Sequence, residues 1–213
     1  GNSYMAKPPY AEIITSLGFV GICIDQLNFG ERSGRDELDL FKELIWKGKV
    51  LWGLMVFDSL KVVDYIITRE EVNEKRIATI GMSMGSTMAW WLAVLDERIK
   101  VCIDICCLTD FDELIRTNGL SGHGIYYFVP SLLKYFSTFD INSLIAPRPH
   151  LSLAGAFDRL TPIEGLKKID ENLKKVYAVF GKEENWKLKI YNTGHRETLQ
   201  MREEIIKFLL KHI

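Results

Sequence analysis

The stretch 76–89 contains a serine placed where it could act as a nucleophile. Its first half is a short β-branched apolar run, which predicts a buried strand, and its second half is small and apolar, which favours a helix. Between them Ser83 stands with Gly81 two residues before it and Gly85 two residues after it. This G-M-S-M-G pattern is typical of a nucleophile elbow, although it also fits an ordinary glycine-containing turn. In an elbow we expect that neither glycine tolerates a β-carbon, and that the amide of Met84 points at a developing oxyanion.

A serine at neutral pH needs a general base, most often a histidine that a carboxylate holds in one tautomer. His195 follows the last predicted strand, and Asp158 follows the strand before it. The carboxyl ends of parallel strands are where sites form in open sheets. The chain order of Ser83, Asp158 and His195 also matches one of the known serine hydrolase arrangements. The alternatives are that Asp158 caps the helix after it and that His195 is a surface loop residue.

The other three histidines are weaker candidates for the base. His150 begins a predicted strand, which is the wrong end, and His212 lies at the terminus. His123 lies in a stretch rich in glycine and aromatic residues. Together with Tyr126 and Tyr127 it is predicted to line the substrate pocket.

The order of predicted elements places these candidates along one sheet. Apolar runs predict strands, and apolar residues at three- and four-residue steps predict helices. Strands are expected at 19–24, 76–80, 100–107, 150–154 and 186–191, and helices at 10–17, 41–49, 51–68, 86–95, 162–180 and 197–213, after an irregular start at 1–7. Because strand and helix alternate, the prediction is a single α/β domain over 1–213, a three-layer α/β/α sandwich with a mainly parallel sheet of about five strands.

Two features interrupt this regular pattern. Residues 108–146 are irregular and aromatic, and they are expected to form a helical insertion that acts as a lid or pocket wall, or that only covers the sheet. Asp104 lies inside a strand that is predicted to be buried. A buried acid needs a polar partner, which the sequence alone does not name.

Composition excludes several classes of function. With 47% hydrophobic residues, 26% charged residues and a formal net charge of −1, the chain carries no electrostatic footprint for nucleic acid or an anionic membrane. It has no apolar run long enough to cross a bilayer and no signal peptide at the start, so a cytoplasmic location is expected. The four cysteines lie in apolar strand-like stretches without metal-ligand or disulfide spacing. Buried reduced thiols are therefore predicted, with no metal and no organic cofactor.

The chain resembles the α/β-hydrolase superfamily over nearly its whole length. The resemblance rests on Asp25 with the loop 28–31, on the elbow at 81–85, on the pattern G-x-x-D-x-x-x-P at 155–162, and on Gly194-His195. The aromatic insertion followed by I-A-P-R-P at 145–149 is similar to esterases related to dienelactone hydrolase and acetyl xylan esterase. The resemblance implies that Ser83 is the nucleophile, His195 the base, Asp158 its orienter and the Met84 amide one oxyanion donor.

Two departures from that family pattern stand out. Ser86 occupies a position where many relatives carry a second glycine. Relatives also have three further strands before the predicted helix 10–17, and one of these ends in a loop that supplies a second oxyanion amide. Either the gene is shortened here, or the strand 19–24 lies directly beside the elbow strand. Loss of one oxyanion donor costs on the order of 10²–10³ in rate.

The prediction is a serine hydrolase that cleaves small-acyl carboxylic esters through an acyl-enzyme. Its expected partner is a small-molecule ester. One rival is a weak or inactive hydrolase-fold protein that binds a small ligand or a partner chain, since an uncovered sheet edge invites dimerisation. A peptidase of the same fold is the other rival, because the three catalytic residues do not report the leaving group.

Overall fold

The computed structural model describes residues 4–213. Within that range the helices are α1 (Tyr10–Ser16), α2 (Glu37–Trp46), α3 (Leu51–Ile66), α4 (Met84–Leu95), α5 (Phe111–Arg116), α6 (Thr138–Ser143), α7 (Ile163–Val179) and α8 (Leu199–His212). The strands are β1 (Ile77–Met82), β2 (Ile99–Ile105), β3 (His150–Gly155) and β4 (Trp186–Tyr191). Of the predicted irregular start, residues 1–3 lie outside the described part, and residues 4–7 form bends without helix or strand.

The strands form one parallel sheet in the order β1-β2-β3-β4. In register, Gly81 of β1 pairs with Asp104 of β2, and Asp104 pairs in turn with Ser152 of β3. Since every strand runs in the same direction, the loops that follow β1, β3 and β4 meet at one edge of the sheet. The predicted α/β architecture with a parallel sheet flanked by helices is confirmed, and residues 4–213 contribute four strands to it in place of the expected five or so.

The strand predicted at 19–24 is the one that does not form. This run has no regular secondary structure, and Val20, Ile22 and Ile24 are 50%, 43% and 39% exposed. An apolar run becomes a strand only where a neighbouring edge accepts its backbone hydrogen bonds, and β1 pairs only with β2 among the described residues. Cys23, in the same run, is exposed, so the prediction of a buried thiol is wrong there and holds for Cys102, Cys106 and Cys107.

Contacts divide the described chain into two units. The first contains residues 4–7, 74–122 and 136–213, and therefore the whole sheet with α4 to α8. The second contains Pro8–Asn73, with α1 to α3, and His123–Tyr135. Parts of the predicted insertion 108–146 belong to each unit.

The core of the first unit lies between its sheet and its helices. Helix α4 packs on β1 and β2, α8 on β2 and β3, and α7 on β4. Trp90 of α4, Ile103 of β2 and Leu151 of β3 are fully buried. Complete burial of an isoleucine or leucine side chain contributes about 1.5–3 kcal/mol to folding. None of the helices in the described range is both long and apolar enough to cross a membrane.

Asp104 finds its partners inside this core. His150 Nε2 lies 2.7 Å from Asp104 Oδ2, and the Ser152 hydroxyl donates to Oδ1 at 2.8 Å. The Ser86 hydroxyl, on α4, approaches Oδ1 at 3.4 Å. All four residues are essentially buried. This polar cluster ties the helix that follows Ser83 to the middle of the sheet, and it gives His150 a structural position at the start of β3.

Candidate active site

Ser83 occupies a strained turn between β1 and α4. Its backbone has φ 57° and ψ −120°, a conformation that costs a residue with a side chain about 1–3 kcal/mol. The turn is held by the sheet, because the Ser83 N–H donates to the Ile105 carbonyl at 2.9 Å. Met84 is the first residue of α4, so its N–H has no acceptor within the helix and is available to a ligand.

Of the two glycines that flank the turn, only the first is required by close contact. A Cβ on Gly81 would lie 1.9 Å from the Gly85 carbonyl oxygen and 2.7 Å from the Ser86 nitrogen. A Cβ on Gly85 would meet nothing within 4 Å, and Gly85 has no positive φ. The expectation that neither position tolerates a β-carbon is therefore wrong for Gly85. The helix approaches the strand at Gly81, while the free side of Gly85 faces open space.

The loops that carry Asp158 and His195 are joined by backbone contacts. Ala156 N–H donates to the Tyr191 carbonyl at 2.8 Å, and Phe157 N–H donates to the Thr193 carbonyl at 2.9 Å. The loops approach so closely that a Cβ on Gly155 would lie 2.3 Å from the Gly194 carbonyl oxygen. The two loops are thus bonded directly to each other, which sets the separation between the acid and the histidine.

The structure brings Ser83, Asp158 and His195 into one hydrogen-bonded relay. His195 Nδ1 lies 2.8 Å from Asp158 Oδ2, and His195 Nε2 lies 2.9 Å from Ser83 Oγ. The second carboxylate oxygen of Asp158 accepts from the Leu160 N–H at 2.9 Å. The Asp158 side chain is fully buried, whereas that of His195 is 18% exposed. Such a relay can take a proton from the serine oxygen while the carboxylate stabilises the charged imidazole.

A buried thiol lies beside the relay. Cys106, directly after β2, offers a sulfur within 4.8 Å of the ligand atoms of Asp158 and His195. Burial raises the pKa of Cys106 to about 12, with a further contribution from the negative charge of Asp158. Within residues 4–213, these three residues are the group whose ligand atoms lie close enough together to hold a metal ion. Binding there would require the thiol to lose its proton and the imidazole to give up one of its hydrogen bonds, to Asp158 or to Ser83.

The predicted pocket residues lie in the second unit. The His123 ring packs 5.3 Å from that of Tyr127, measured between centroids. Tyr126 stacks on Trp52 at 6.0 Å and meets Phe29 edge-on at 5.6 Å. These contacts give all three residues a packing role within their own unit, and their role as a substrate pocket stays a prediction.

Sequence reasoning missed a group that touches the histidine. The Tyr4 ring lies edge-on to the His195 ring, with centroids 5.9 Å apart and an interplanar angle of 69°. The same segment binds Glu197, two residues after His195. No local sequence pattern marks Tyr4, because its position depends on contacts with residues far away along the chain. One of these is the hydrogen bond from Ala6 to Glu197, which are 191 residues apart.

A family model and the sequence of a bacterial protein match most of this chain. The model of a family described as the Abhydrolase family matches residues 6–202. The protein named "Putative hydrolase YtaP" from Bacillus subtilis (strain 168) is 50% identical over 211 residues, which cover 99% of this chain and 71% of that protein.

Solved structures share the fold at lower identity. A structure described as a putative acetyl xylan esterase from Bacteroides fragilis has a TM-score of 0.70 and 23% identity, covering 86% of this chain and 49% of that one. A glucuronoyl esterase from Solibacter usitatus has a TM-score of 0.65 and 19% identity, covering 76% and 48%. The chain therefore spans about half the length of these two proteins.

Proposed function

The chain belongs to the Abhydrolase family of hydrolases, and from that premise we propose that it cleaves carboxylic esters with Ser83 as its nucleophile. The observation that carries the proposal is the relay from Ser83 Oγ to His195 Nε2 at 2.9 Å and from His195 Nδ1 to Asp158 at 2.8 Å. Each link lies within the distance that proton transfer or orientation requires. A histidine with a purely structural role would not require a serine in a strained backbone conformation at Nε2.

In the proposed reaction Ser83 Oγ attacks the acyl carbon while its proton passes to His195 Nε2. Asp158 holds the imidazole in the required tautomer and stabilises its positive charge. The intermediate collapses as His195 returns the proton to the alcohol oxygen and the bond between acyl carbon and alcohol oxygen breaks. A water molecule then attacks the acyl-enzyme, gives one proton to His195, and releases the acid as Ser83 Oγ is protonated again.

The Met84 N–H is proposed as an oxyanion donor. It begins a helix of 12 residues, whose amino end carries a partial positive charge. Oxyanion donors of this kind are commonly worth about 10²–10³ in rate each. The substrate is proposed to be a small-molecule ester with a small acyl group.

The proposal is tested by intact mass after exposure to a fluorophosphonate, which reacts preferentially with an activated serine. The wild type, Ser83→Ala and Ser143→Ala are compared, since the Ser143 hydroxyl makes only a local bond to the Asp140 carbonyl. We expect one adduct on the wild type and on Ser143→Ala, and none on Ser83→Ala. An adduct on Ser83→Ala would refute the nucleophile. No adduct on the folded wild type would refute the catalytic function and favour a hydrolase-fold protein that binds a ligand.

Turnover then distinguishes an esterase from a peptidase. An acetate ester and the matching acetamide share the acyl group and differ only in the leaving atom. We expect hydrolysis of the ester, with the amide left intact, and faster cleavage of the amide would overturn the ester assignment in favour of the peptidase.

A further inference from the structure

The segment 4–6 is fastened to the loop that carries the histidine. The Glu197 N–H donates to the Tyr4 carbonyl at 2.7 Å, and the Ala6 N–H donates to Glu197 Oε2 at 2.9 Å. Two backbone groups of the segment are thus bound to one residue, which lies two positions after His195. The position of Tyr4 is therefore coupled to that of His195.

Glu197 is itself held by a buried ion pair. Arg202, near the start of α8, donates from Nε to Glu197 Oε1 at 2.9 Å and from a terminal nitrogen to Oε2 at 2.6 Å. The Glu197 side chain is fully buried and that of Arg202 is 5% exposed. A bidentate pair of this kind has a fixed geometry, and loss of either partner would leave a buried unpaired charge. The anchor for the segment is rigid.

The Tyr4 ring is not needed for the core. It remains 57% exposed while its edge-on contact with His195 holds it at 5.9 Å. An aromatic ring that contacts one neighbouring ring and is otherwise largely open to solvent offers apolar surface to a ligand. The part of that surface next to the contact lies beside the imidazole.

We propose that Tyr4 forms the wall of a subsite for the alcohol part of the substrate, and that this subsite favours alcohols that carry a planar aromatic ring. The inference rests on the proposed function. During cleavage His195 Nε2 gives its proton to the leaving oxygen, which must therefore lie within hydrogen-bond distance of that nitrogen. The group attached to that oxygen then lies close to the imidazole, on which the Tyr4 ring also packs. An aromatic ring gains an edge-on or offset contact there, whereas a short alkyl group gains little.

Three acetate-type esters test this assignment. Benzyl acetate carries a ring on the alcohol, propyl phenylacetate carries it on the acyl group, and propyl acetate has none. For each ester the ratio of wild-type to variant kcat/KM is taken, so that intrinsic reactivity cancels. The variants are Tyr4→Ala, Tyr4→Phe and, as a matched control, Phe180→Ala. Phe180 is 52% exposed and follows α7 just before β4 begins, at the opposite edge of the sheet from the site.

We expect Tyr4→Ala to lower kcat/KM for benzyl acetate about 3- to 10-fold, the size of one aromatic contact, and to leave the other two esters nearly unchanged. Tyr4→Phe keeps the ring and should keep the preference, and Phe180→Ala should match the wild type. An equal loss for all three esters, or a loss confined to propyl phenylacetate, would overturn the subsite. Fluorophosphonate labelling of Ser83 in the same variants separates a failure of the subsite from a failure of the proposed function. If Tyr4→Ala is labelled but its ester selectivity is unchanged, the subsite alone is refuted. If the wild type is not labelled, the proposed function is refuted.

Discussion

Replacement of Gly81 by alanine should damage the elbow far more than the same change at Gly85. The added Cβ at position 81 would lie 1.9 Å from the Gly85 carbonyl oxygen, where ordinary contact begins at 3.4 Å. The neighbours are backbone atoms, so no side chain can rotate away. Strand β1 and helix α4 would have to separate locally by about 1.5 Å to restore contact distance.

That displacement acts directly on Ser83, which lies between the two elements. Misplacement of a reacting group by about 1 Å can cost on the order of 10² in rate. We therefore expect Gly81→Ala to slow fluorophosphonate labelling at least about 100-fold. Overpacking should also lower the free energy of unfolding by about 1–3 kcal/mol.

Gly85→Ala is the matched control, since it adds the same methyl group four residues away. Its Cβ meets nothing within 4 Å, and alanine is favoured over glycine within a helix by up to about 0.5–1 kcal/mol. We expect unchanged labelling and equal or higher stability in urea denaturation. Equal damage from both substitutions, or normal labelling of Gly81→Ala, would refute the contact argument.

Three further predictions concern the acid, the buried cluster and the thiols. Asp158→Asn should lower ester turnover about 10⁴-fold through the wrong histidine tautomer, measured as kcat with p-nitrophenyl acetate. Asp104→Asn should lower the free energy of unfolding by about 1–3 kcal/mol in urea denaturation, because one of the two buried carboxylate oxygens that His150 and Ser152 bind becomes an amide nitrogen, which cannot accept a hydrogen bond. Iodoacetamide at pH 8 should add one group to the native protein, at exposed Cys23, and four groups after unfolding, counted by mass spectrometry.

Each of these outcomes has a clear contrary result. Full activity in Asp158→Asn would place the orienting acid elsewhere. A loss of less than about 1 kcal/mol in Asp104→Asn would mean that the hydrogen bonds to the Asp104 carboxylate contribute little to folding. Rapid alkylation of Cys106 in the native protein would contradict both its burial and the pKa of about 12.

The positions of Ser83, Asp158 and His195 followed from the sequence because each depends on a local feature. Each residue comes directly or soon after an apolar run that predicts a strand, and parallel strands carry their carboxyl ends to one edge. Three residues of the right chemistry at three such ends must then meet, without knowledge of any long-range contact.

The partner of Asp104 could have been found by the same logic. For a catalytic base, His150 lies at the wrong end of its strand. In a strand, residues two apart share a face, so His150 and Ser152 lie on the same side of β3. Since Ser152 is in register with Asp104, both polar side chains reach the buried carboxylate. An acid inside one apolar strand and a polar pair spaced by two in the next are a detectable signal.

Two predictions were wrong for a common reason: the strand at 19–24, and the intolerance of Gly85 to a β-carbon. Both depend on what lies opposite in space: an edge that would accept hydrogen bonds in the first case, and an atom that would meet a Cβ in the second. Neither partner is encoded in the run itself. The same holds for Tyr4, whose contact with His195 depends on Glu197 and Arg202.

Cys106, directly after β2, places an uncharged thiol beside Asp158 and His195. Cys106 has φ 59° and points its sulfur at the region that Asp158 and His195 share. A charged group at that point would compete with Asp158 for the imidazole or repel its carboxylate. Because burial raises the pKa of Cys106 to about 12, the thiol stays neutral at physiological pH. Asp158 is then the one anion adjacent to His195 in this cluster, which is the condition under which a single tautomer faces Ser83.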